Sequence, residues 1–420
     1  MKKLSLALAG FTVGASALAQ SSITVFGVMD VSASRYSTRS EPVGAPTQKQ
    51  RQWALSSGAY SGSRLGFRGT EDLGGGLAAG FWLELGLNGD SGGGAEANGT
   101  MSFNRRSTVS LSGGFGELRL GRDYVPTYLS DTLFDPFGGV GVGISTNASL
   151  GNARAGALLG AAVAGSAASL VLNRNYVRAS NSIGYFLPPN LGGFYGQVMY
   201  GLNEQTKYTP AAAMPADTAF GGTQKSRAGG YVGSRIGYTR GNWNVALAYG
   251  ESTVDDQFHA GTTLVQKMGN LATSYKIGET TLFGEYSNLR VRQQAEHPAT
   301  VAPAAAIDAK FESYLLGVTV PLGAGQIRAA YSRTQGTIGT GPLFQREVAH
   351  LKAEKIALGY VHHLSKRTAL YTTVAYVKNR DGMSFATGGT PGYAVSASRK
   401  AAAGRTDTGL GYEFGIRHAF

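Results

Sequence analysis

The connections between the apolar segments of this chain alternate in length, which restricts its fold more than any other feature. Seven short turns rich in Gly, Pro or Asn occur at residues 72–76, 113–116, 188–193, 240–242, 278–279, 321–325 and 365–367. Eight long polar stretches alternate with them, at 37–50, 89–100, 125–174, 204–228, 252–264, 294–307, 336–350 and 381–406. Short turns of this composition join adjacent antiparallel strands. The alternation predicts sixteen strands with both ends on the short-turn side, as in bacterial transmembrane β-barrels.

Several predicted strands carry apolar and polar residues with a period of two. In residues 63–69, Leu65 and Phe67 share one face, whereas Arg64 and Arg68 share the other. Hydrocarbon offers the backbone no hydrogen-bond partner, so a sheet in lipid must close on itself. Sixteen strands enclose a lumen too wide for side chains to fill. We therefore expect an all-β, 16-stranded antiparallel barrel, with both arginines turned toward water.

The two ends of the chain fit export to an outer membrane. A basic start at residues 1–3, an uncharged apolar run at 4–18 and small residues at Ala17 and Ala19 are typical of a signal peptide. We expect cleavage after residue 19 and a single barrel domain over 20–420. The last predicted strand places Tyr412, Phe414, Ile416 and Phe420 on one face, which suits the aromatic border of a lipid-facing wall.

Composition narrows the range of functions. The chain has no Cys and 62 Gly, and the expected mature chain carries a net charge of +10, because the signal holds two of the 38 basic residues and no acidic one. The arginines are spread singly rather than clustered, which argues against nucleic-acid binding. The six histidines form no recognisable catalytic or metal motif. We predict neither an enzyme nor a cofactor or metal site.

One segment departs from the strand pattern. Residues 155–172 are uncharged, rich in Ala and Gly, and close to the length of a membrane helix. The glycines make a stable helix unfavourable. We expect this segment to belong to the third long loop, where it could add a short helix folded into the barrel, and a spanning helix is the alternative.

The mature chain resembles the general porins of Gram-negative outer membranes, and most of all their betaproteobacterial branch. The resemblance is carried by residues 22–30, by 63–73 (SRLGFRGTEDL), by 118–122 (LRLGR), by 134–138 (FDPFG) and by the terminal Phe420. It implies a trimeric barrel with short periplasmic turns, long extracellular loops and loop 3, about 125–174, folded into the lumen. It also implies that the terminal strand with Phe420 is the signal read by the barrel-assembly machinery.

The resemblance also implies a pore constriction in which acidic residues of loop 3 face arginines of the opposite wall. Asp131 and Asp135 match the acidic part of the loop motif. The wall candidates are Arg64, Arg68, Arg105 or Arg106, Arg174 and Arg178. Strict alternation lets only one of Arg105 and Arg106 face water, and the sequence leaves that choice open. Arg122 shares parity with Leu118 and Leu120, so we expect it at an outward subunit contact.

These features predict an outer-membrane diffusion pore for small hydrophilic solutes and ions, with a preference for anions because of its surplus arginine. The expected partners are two further copies of the chain, outer-membrane lipid and lipopolysaccharide, the assembly machinery, and small anions. Two alternatives stay open: a substrate-specific anion channel, and a structural barrel plugged by loop 3.

Overall fold

The computed structural model describes residues 22–41, 46–94, 96–97, 100–152, 175–204, 227–257, 262–295, 307–340, 346–381, 383–387 and 406–420. Predictions for the signal peptide, for residues 155–172 and for Arg174 concern residues outside these ranges. No helix among the described residues is long and apolar enough to cross a membrane.

Strands dominate the described residues. They are β1 (Ser22–Ser40), β2 (Gln48–Ser57), β3 (Arg64–Gly74), β4 (Leu77–Gly86), β5 (Glu96–Ala97), β6 (Thr100–Met101), β7 (Arg106–Gly113), β8 (Gly116–Tyr124), β9 (Arg178–Phe186), β10 (Phe194–Gly201), β11 (Tyr231–Arg240), β12 (Trp243–Gln257), β13 (Thr262–Ile277), β14 (Thr280–Ala295), β15 (Ile307–Leu322), β16 (Gly325–Thr340), β17 (Arg346–His363), β18 (Thr368–Arg380) and β19 (Thr408–Ala419). Two helices, α1 (Pro126–Leu133) and α2 (Thr146–Asn152), lie in loop 3.

The strands form one closed antiparallel barrel. Neighbours in sequence pair around the ring, and β1 closes it by pairing with β19 on one side and with β2 and β3 on the other. Because β2 and β3 pair with successive halves of β1, they form one barrel strand interrupted at residues 58–63. Setting aside the short β5–β6 hairpin, the predicted count of sixteen is confirmed.

The interruption is held by a buried carboxylate. Asp30 of β1 is fully buried and accepts hydrogen bonds from the backbone N–H of Tyr60 at 2.8 Å and of Ser61 at 2.5 Å. The Tyr371 hydroxyl donates to the same carboxylate at 2.5 Å. The two N–H bonds satisfy backbone groups that are left unpaired where the interstrand hydrogen bonds are interrupted. Hydrogen bonding therefore stays continuous along the barrel wall.

The seam between the first and last strands is completed by the terminal residue. Gly27 and Phe420 exchange two backbone hydrogen bonds, of 3.0 and 3.1 Å. The Phe420 ring lies against Gly27 so closely that a Cβ at residue 27 would come within 2.3 Å of it. Glycine is therefore required at this position for the ring to lie flat on the outer wall.

All seven predicted short turns connect adjacent strands. Four predicted long loops are shorter than the sequence indicated, because β1 continues to Ser40, β12 to Gln257, β14 to Ala295 and β16 to Thr340. Next to these extensions, the strands carry outward-facing charges, such as Arg290 and Lys310, which are more typical of loops than of lipid-facing strands. Their strands continue beyond the apolar band, where charged side chains meet water and headgroups rather than hydrocarbon.

The apolar band ends at a row of outward tyrosines. Tyr249, Tyr286, Tyr314, Tyr331, Tyr376 and Tyr412 lie on six strands and are each between 37% and 45% exposed. From Tyr314 to the turn after Leu322, the strand covers about 26 Å along its length at about 3.3 Å per residue, or about 20 Å when tilted. This height is close to that of the lipid-facing band of outer-membrane barrels.

Loop 3 packs inside the barrel against one half of its wall. α1 contacts β10 to β13, and α2 contacts β15 to β17. Leu150 joins a buried apolar cluster with Leu289, Phe311 and Leu351 of the strands, and Phe137 joins another with Leu315. Residues 315–320 and 356–361 alternate poorly between apolar and polar, and this packing accounts for it, because those strands are apolar on both faces.

The carboxylates of loop 3 do not lie where the sequence placed them. Asp131 and Asp135 were expected to face the arginines across water, but they are 0% and 5% exposed. Asp131 accepts hydrogen bonds from the Tyr176 hydroxyl and from Nδ2 of Asn270, the latter at 3.0 Å. Asn270 lies on β13, so Asp131 attaches loop 3 to the wall behind it.

Asp135 instead organises the loop's own backbone. Its carboxylate accepts N–H bonds from Phe137 at 2.8 Å and Ser145 at 3.3 Å. Burial raises the pKa of this carboxyl above its ordinary value, because desolvation disfavours the charged form, and these N–H donors oppose the shift. Both acidic residues therefore act as internal tethers.

A Gly27→Val substitution tests the seam. Two methyl groups at this position would displace the Phe420 ring, and overpacking of this kind costs about 1–3 kcal/mol. We expect the unfolding temperature, read from the mobility shift on unboiled gels, to fall. Gly269→Val is the matched control, because its nearest neighbour outside the local chain is 3.8 Å from a Cβ. An equal fall in both variants would contradict the role of the seam.

An Asp131→Ala substitution tests the loop-3 tether. It leaves the Tyr176 hydroxyl buried without its acceptor and removes one of the two acceptors of the Asn270 amide, a loss of about 1–3 kcal/mol. We expect faster cleavage of loop 3 by added protease and noisier single-channel currents. Leu133→Ala on the same helix is the control, because Leu133 is 57% exposed. Unchanged proteolysis of the Asp131 variant would refute the tether.

Candidate functional site

The wall opposite loop 3 is formed by β3, β4, β7, β8 and β9, and its inner face is rich in arginine. Outward residues of these strands are apolar, as shown by Val109 at 55% and Leu120 at 43% exposed. The alternate residues turn inward and include Arg64, Trp82, Thr108 and Arg119. The side chains on this face reach into space that the described part of loop 3 leaves open, because that part packs on other strands.

Arg64 and Arg105 meet at a shared carboxylate. Nε of Arg105 lies 2.5 Å from Oε1 of Glu84, and Nε of Arg64 lies 3.9 Å from the same atom. Glu84 is only 5% exposed, whereas both arginines keep partial contact with solvent. One buried carboxylate therefore positions two guanidinium groups and neutralises only one of their two charges.

In the structure, Arg105 and Arg106 do not compete for one inward-facing position. Arg105 occupies a bend before β7 begins, so strict alternation does not govern its direction. Arg106 is the first residue of β7, and its Nε donates to Oγ1 of inward-facing Thr108 at 3.2 Å. Both side chains therefore reach the inner face.

A second ion-pair group lies below the first. Asp123 is 3.6 Å from Arg106 and 2.5 Å from Arg119, and Glu117 is 2.7 Å from Arg119. Arg119 was missed as a wall residue, although its parity opposite Leu118 and Leu120 in the same motif would have identified it. Glu84, Glu117 and Asp123 were also missed, because isolated acidic residues on strands carry no distinctive pattern.

Arg178 lies at the loop-3 end of this wall. Its Nη2 donates to the Tyr124 hydroxyl at 2.7 Å, and its guanidinium lies 4.3 Å from the centre of that ring. Arg105 donates to the same hydroxyl at 3.0 Å. Tyr124 stacks on Tyr128 of α1 with 5.5 Å between ring centres, so the arginine wall and loop 3 meet at this pair of rings.

Two predicted arginines have different surroundings. Arg68 is exposed on the inner face of β3, 5.2 Å from the centre of the Trp82 ring and 5.4 Å from that of Phe26. Arg122 donates to the Asn104 carbonyl at 2.6 Å and to the Ser180 hydroxyl at 2.7 Å, on the face that its parity with Leu120 indicates. Arg68 thus lies with the wall arginines, whereas Arg122 lies apart from them.

The surface of loop 3 that retains exposure is uncharged within residues 125–151. Its exposed or half-buried residues there are Tyr128, Leu129, Thr132, Leu133, Gly138, Val140 and Ser149. The six wall arginines described above have three acidic partners among the described residues. The arrangement can attract anions electrostatically, and the part of it that the structure describes contains no nucleophile–base pair of the kind that covalent catalysis requires.

Sequence comparison agrees with this geometry. Residues 5–382 match the model of a family described as Gram-negative porin. The chain is 35% identical to outer membrane porin protein 32 of Delftia acidovorans, over all of both chains. It is 28% identical to an outer membrane porin protein of Bordetella pertussis, over 90% of this chain and 95% of that one.

Structural comparison gives the same result. An anion-selective porin from Comamonas acidovorans superposes with a TM-score of 0.69 and 32% identity, over 96% of this chain and 100% of the other. An OmpF structure from Salmonella typhi has a TM-score of 0.56 at 15% identity, over 95% of this chain and 97% of that one, which supports the fold alone. With its closed sixteen-stranded barrel, this chain belongs to the Gram-negative porin family of outer-membrane channels.

Proposed function

We propose that this porin is a diffusion pore that prefers anions, and that its constriction lies between the arginine wall and loop 3. The observation that carries the proposal is the charge imbalance across the lumen. Arg64, Arg105 and Arg178 face a loop surface that is uncharged over residues 125–151. The similarity to an anion-selective porin supports the same preference.

The charge of the arginine wall is large enough to make the pore selective. Arginine stays protonated at ordinary pH, so the field of the wall is constant. Two charges a few ångströms apart in a partly wet site interact by about 1–4 kcal/mol. One surplus positive charge at the narrowest point therefore changes the ratio of anion to cation flux by about fivefold or more.

In this proposal Asp131 and Asp135 belong to the constriction as tethers. Holding loop 3 against β10–β13 keeps the opposite half of the lumen open, which favours a conducting pore over a plugged barrel. Arg68 and Arg106 extend the positive wall below the constriction. A substrate-specific anion channel would use the same wall, so general and specific uptake differ only in how tightly an anion is held.

Reversal potentials across planar bilayers in a KCl gradient test the selectivity. We expect chloride to permeate better than potassium. Arg64→Glu should lower the permeability ratio by about fivefold, because it places a negative charge beside Glu84. Arg367→Glu, on an exposed short turn, should leave the ratio within about twofold. Cation preference in the wild type would overturn the proposal, and equal effects of both substitutions would remove Arg64 from the constriction.

We further propose that the porin assembles as a homotrimer with Arg122 near a subunit contact, surrounded by outer-membrane lipid and lipopolysaccharide. Outward charges beyond the tyrosine row, such as Lys310 and Arg380, suit a headgroup layer that carries phosphate. Phe420 would serve the assembly machinery as the exposed end of the last strand, since its ring is 49% exposed on the outer wall.

Deleting Phe420 tests the assembly role. The deletion removes the terminal ring and its two backbone bonds to Gly27, so we expect a large loss of protein from the outer membrane in cells. The trimer is tested separately, from the mass of the detergent-solubilised wild type measured by light scattering. As a control, the deletion variant is refolded in detergent, which separates a loss of folding from a loss of assembly in cells. If it both refolds and reaches the membrane normally, Phe420 carries no assembly signal.

A further inference from the structure

Below the proposed constriction, arginines and aromatic rings lie side by side on adjacent strands of the inner wall. We call this set the aromatic–arginine row. In the order in which its strands lie around the barrel, the row consists of Phe26 (β1), Arg68 (β3), Trp82 (β4), Arg106 (β7), Arg119 (β8) and Phe186 (β9). Arg106 lies 4.5 Å from the Trp82 ring centre, and Arg119 lies 3.9 Å from that of Phe186. The contacts of Arg68, and the Asp123 carboxylate that pairs with both Arg106 and Arg119, connect the remaining members of the row.

The strand register produces the row. Arg68 pairs directly with Trp82, which in turn pairs with Thr108. Phe26 pairs with Gly66, and a Cβ on Gly66 would come within 2.3 Å of the Phe26 ring. The missing side chain therefore lets Phe26 lie across β3 and contact the edge of Trp82, with 5.0 Å between ring centres and 63° between planes.

Arg68 is the member with an open positive charge. No carboxylate among the described residues forms an ion pair with it, whereas Arg106 and Arg119 pair with Asp123. It lies four residues from Arg64 toward the short turn, about 13 Å along the strand. A guanidinium beside an aromatic face can still present N–H groups to a ligand, in the fork that suits a carboxylate.

Resting on the anion pore proposed above, we propose that the aromatic–arginine row is a binding site for small carboxylates that carry a flat apolar group, such as an aryl ring. Arg68 binds the carboxylate, and the half-buried rings of Phe26 and Trp82 contact the apolar part. Inorganic anions can bind Arg68 but gain nothing from contact with the rings. The row therefore ranks permeating anions by their apolar part as well as their charge.

Inhibition of chloride current through the full mature porin in planar bilayers tests this site. Benzoate and acetate carry the same charge and differ in the ring. We expect benzoate to halve the chloride current at a concentration about three- to tenfold lower than acetate, as aromatic contacts of ordinary strength predict. Equal inhibition by the two anions, or none by either, would overturn the proposal and leave the reversal-potential result untouched.

Substitutions locate the effect. Arg68→Gln should weaken inhibition by both anions. Trp82→Leu should bring the ratio of the inhibitory concentrations of acetate and benzoate near one, and Trp82→Tyr should keep the preference for benzoate. Trp53→Leu is the matched control, since Trp53 is 73% exposed on the outer face of β2. Phe26→Leu provides a second variant should Trp82→Leu fail to refold. A benzoate preference that persists in both Trp82→Leu and Phe26→Leu would place its origin elsewhere and refute the assignment.

Discussion

The closed ring of interstrand hydrogen bonds is the constraint on which the other features depend. Hydrocarbon satisfies no backbone group, so the chain must close β1 onto β19 and bridge the gap between β2 and β3. Closure fixes the register of all strands, and register fixes which side chain faces lipid and which faces the lumen. The Gly27–Phe420 seam and the bonds of Asp30 are local solutions of the same requirement.

Loop 3 then divides the lumen into two unlike halves. Against β10–β19 it forms a buried interior in which Asp131 and Glu413 act as hydrogen-bond acceptors. Along β3–β9, the arginines pair with carboxylates of the strands and not with those of the described part of loop 3. A carboxylate exposed at the constriction would offset the field of Arg64 and Arg105, whereas one buried behind the loop holds the loop and acts less strongly on passing ions. In the proposed pore, burial of the loop carboxylates therefore increases the anion preference of the wall.

The sequence was sufficient for the fold because turn chemistry and strand alternation are local. All seven short turns, the strand count and the inward direction of Arg64 could be read from residues alone. The site was less predictable. A bend frees Arg105 from alternation, and the side of α1 that meets the wall depends on packing with Asn270, which lies far away in sequence. The ends of β1, β12, β14 and β16 were assigned to loops because those stretches are polar, although the strands extend past the lipid there.

The contrast between Arg68 and Arg105 shows how one wall can serve both attraction and release. A carboxylate 2.5 Å from Arg105 fixes its position and cancels most of its charge, whereas the ring of Trp82 flanks Arg68 and leaves the charge intact. Conduction requires sites that bind well enough to admit an ion and weakly enough to release it. Arg64, 3.9 Å from Glu84, is intermediate between the two. In the proposed pore, an anion moving along β3 would therefore pass from a partly neutralised arginine at the proposed constriction to an open one beside aromatic rings.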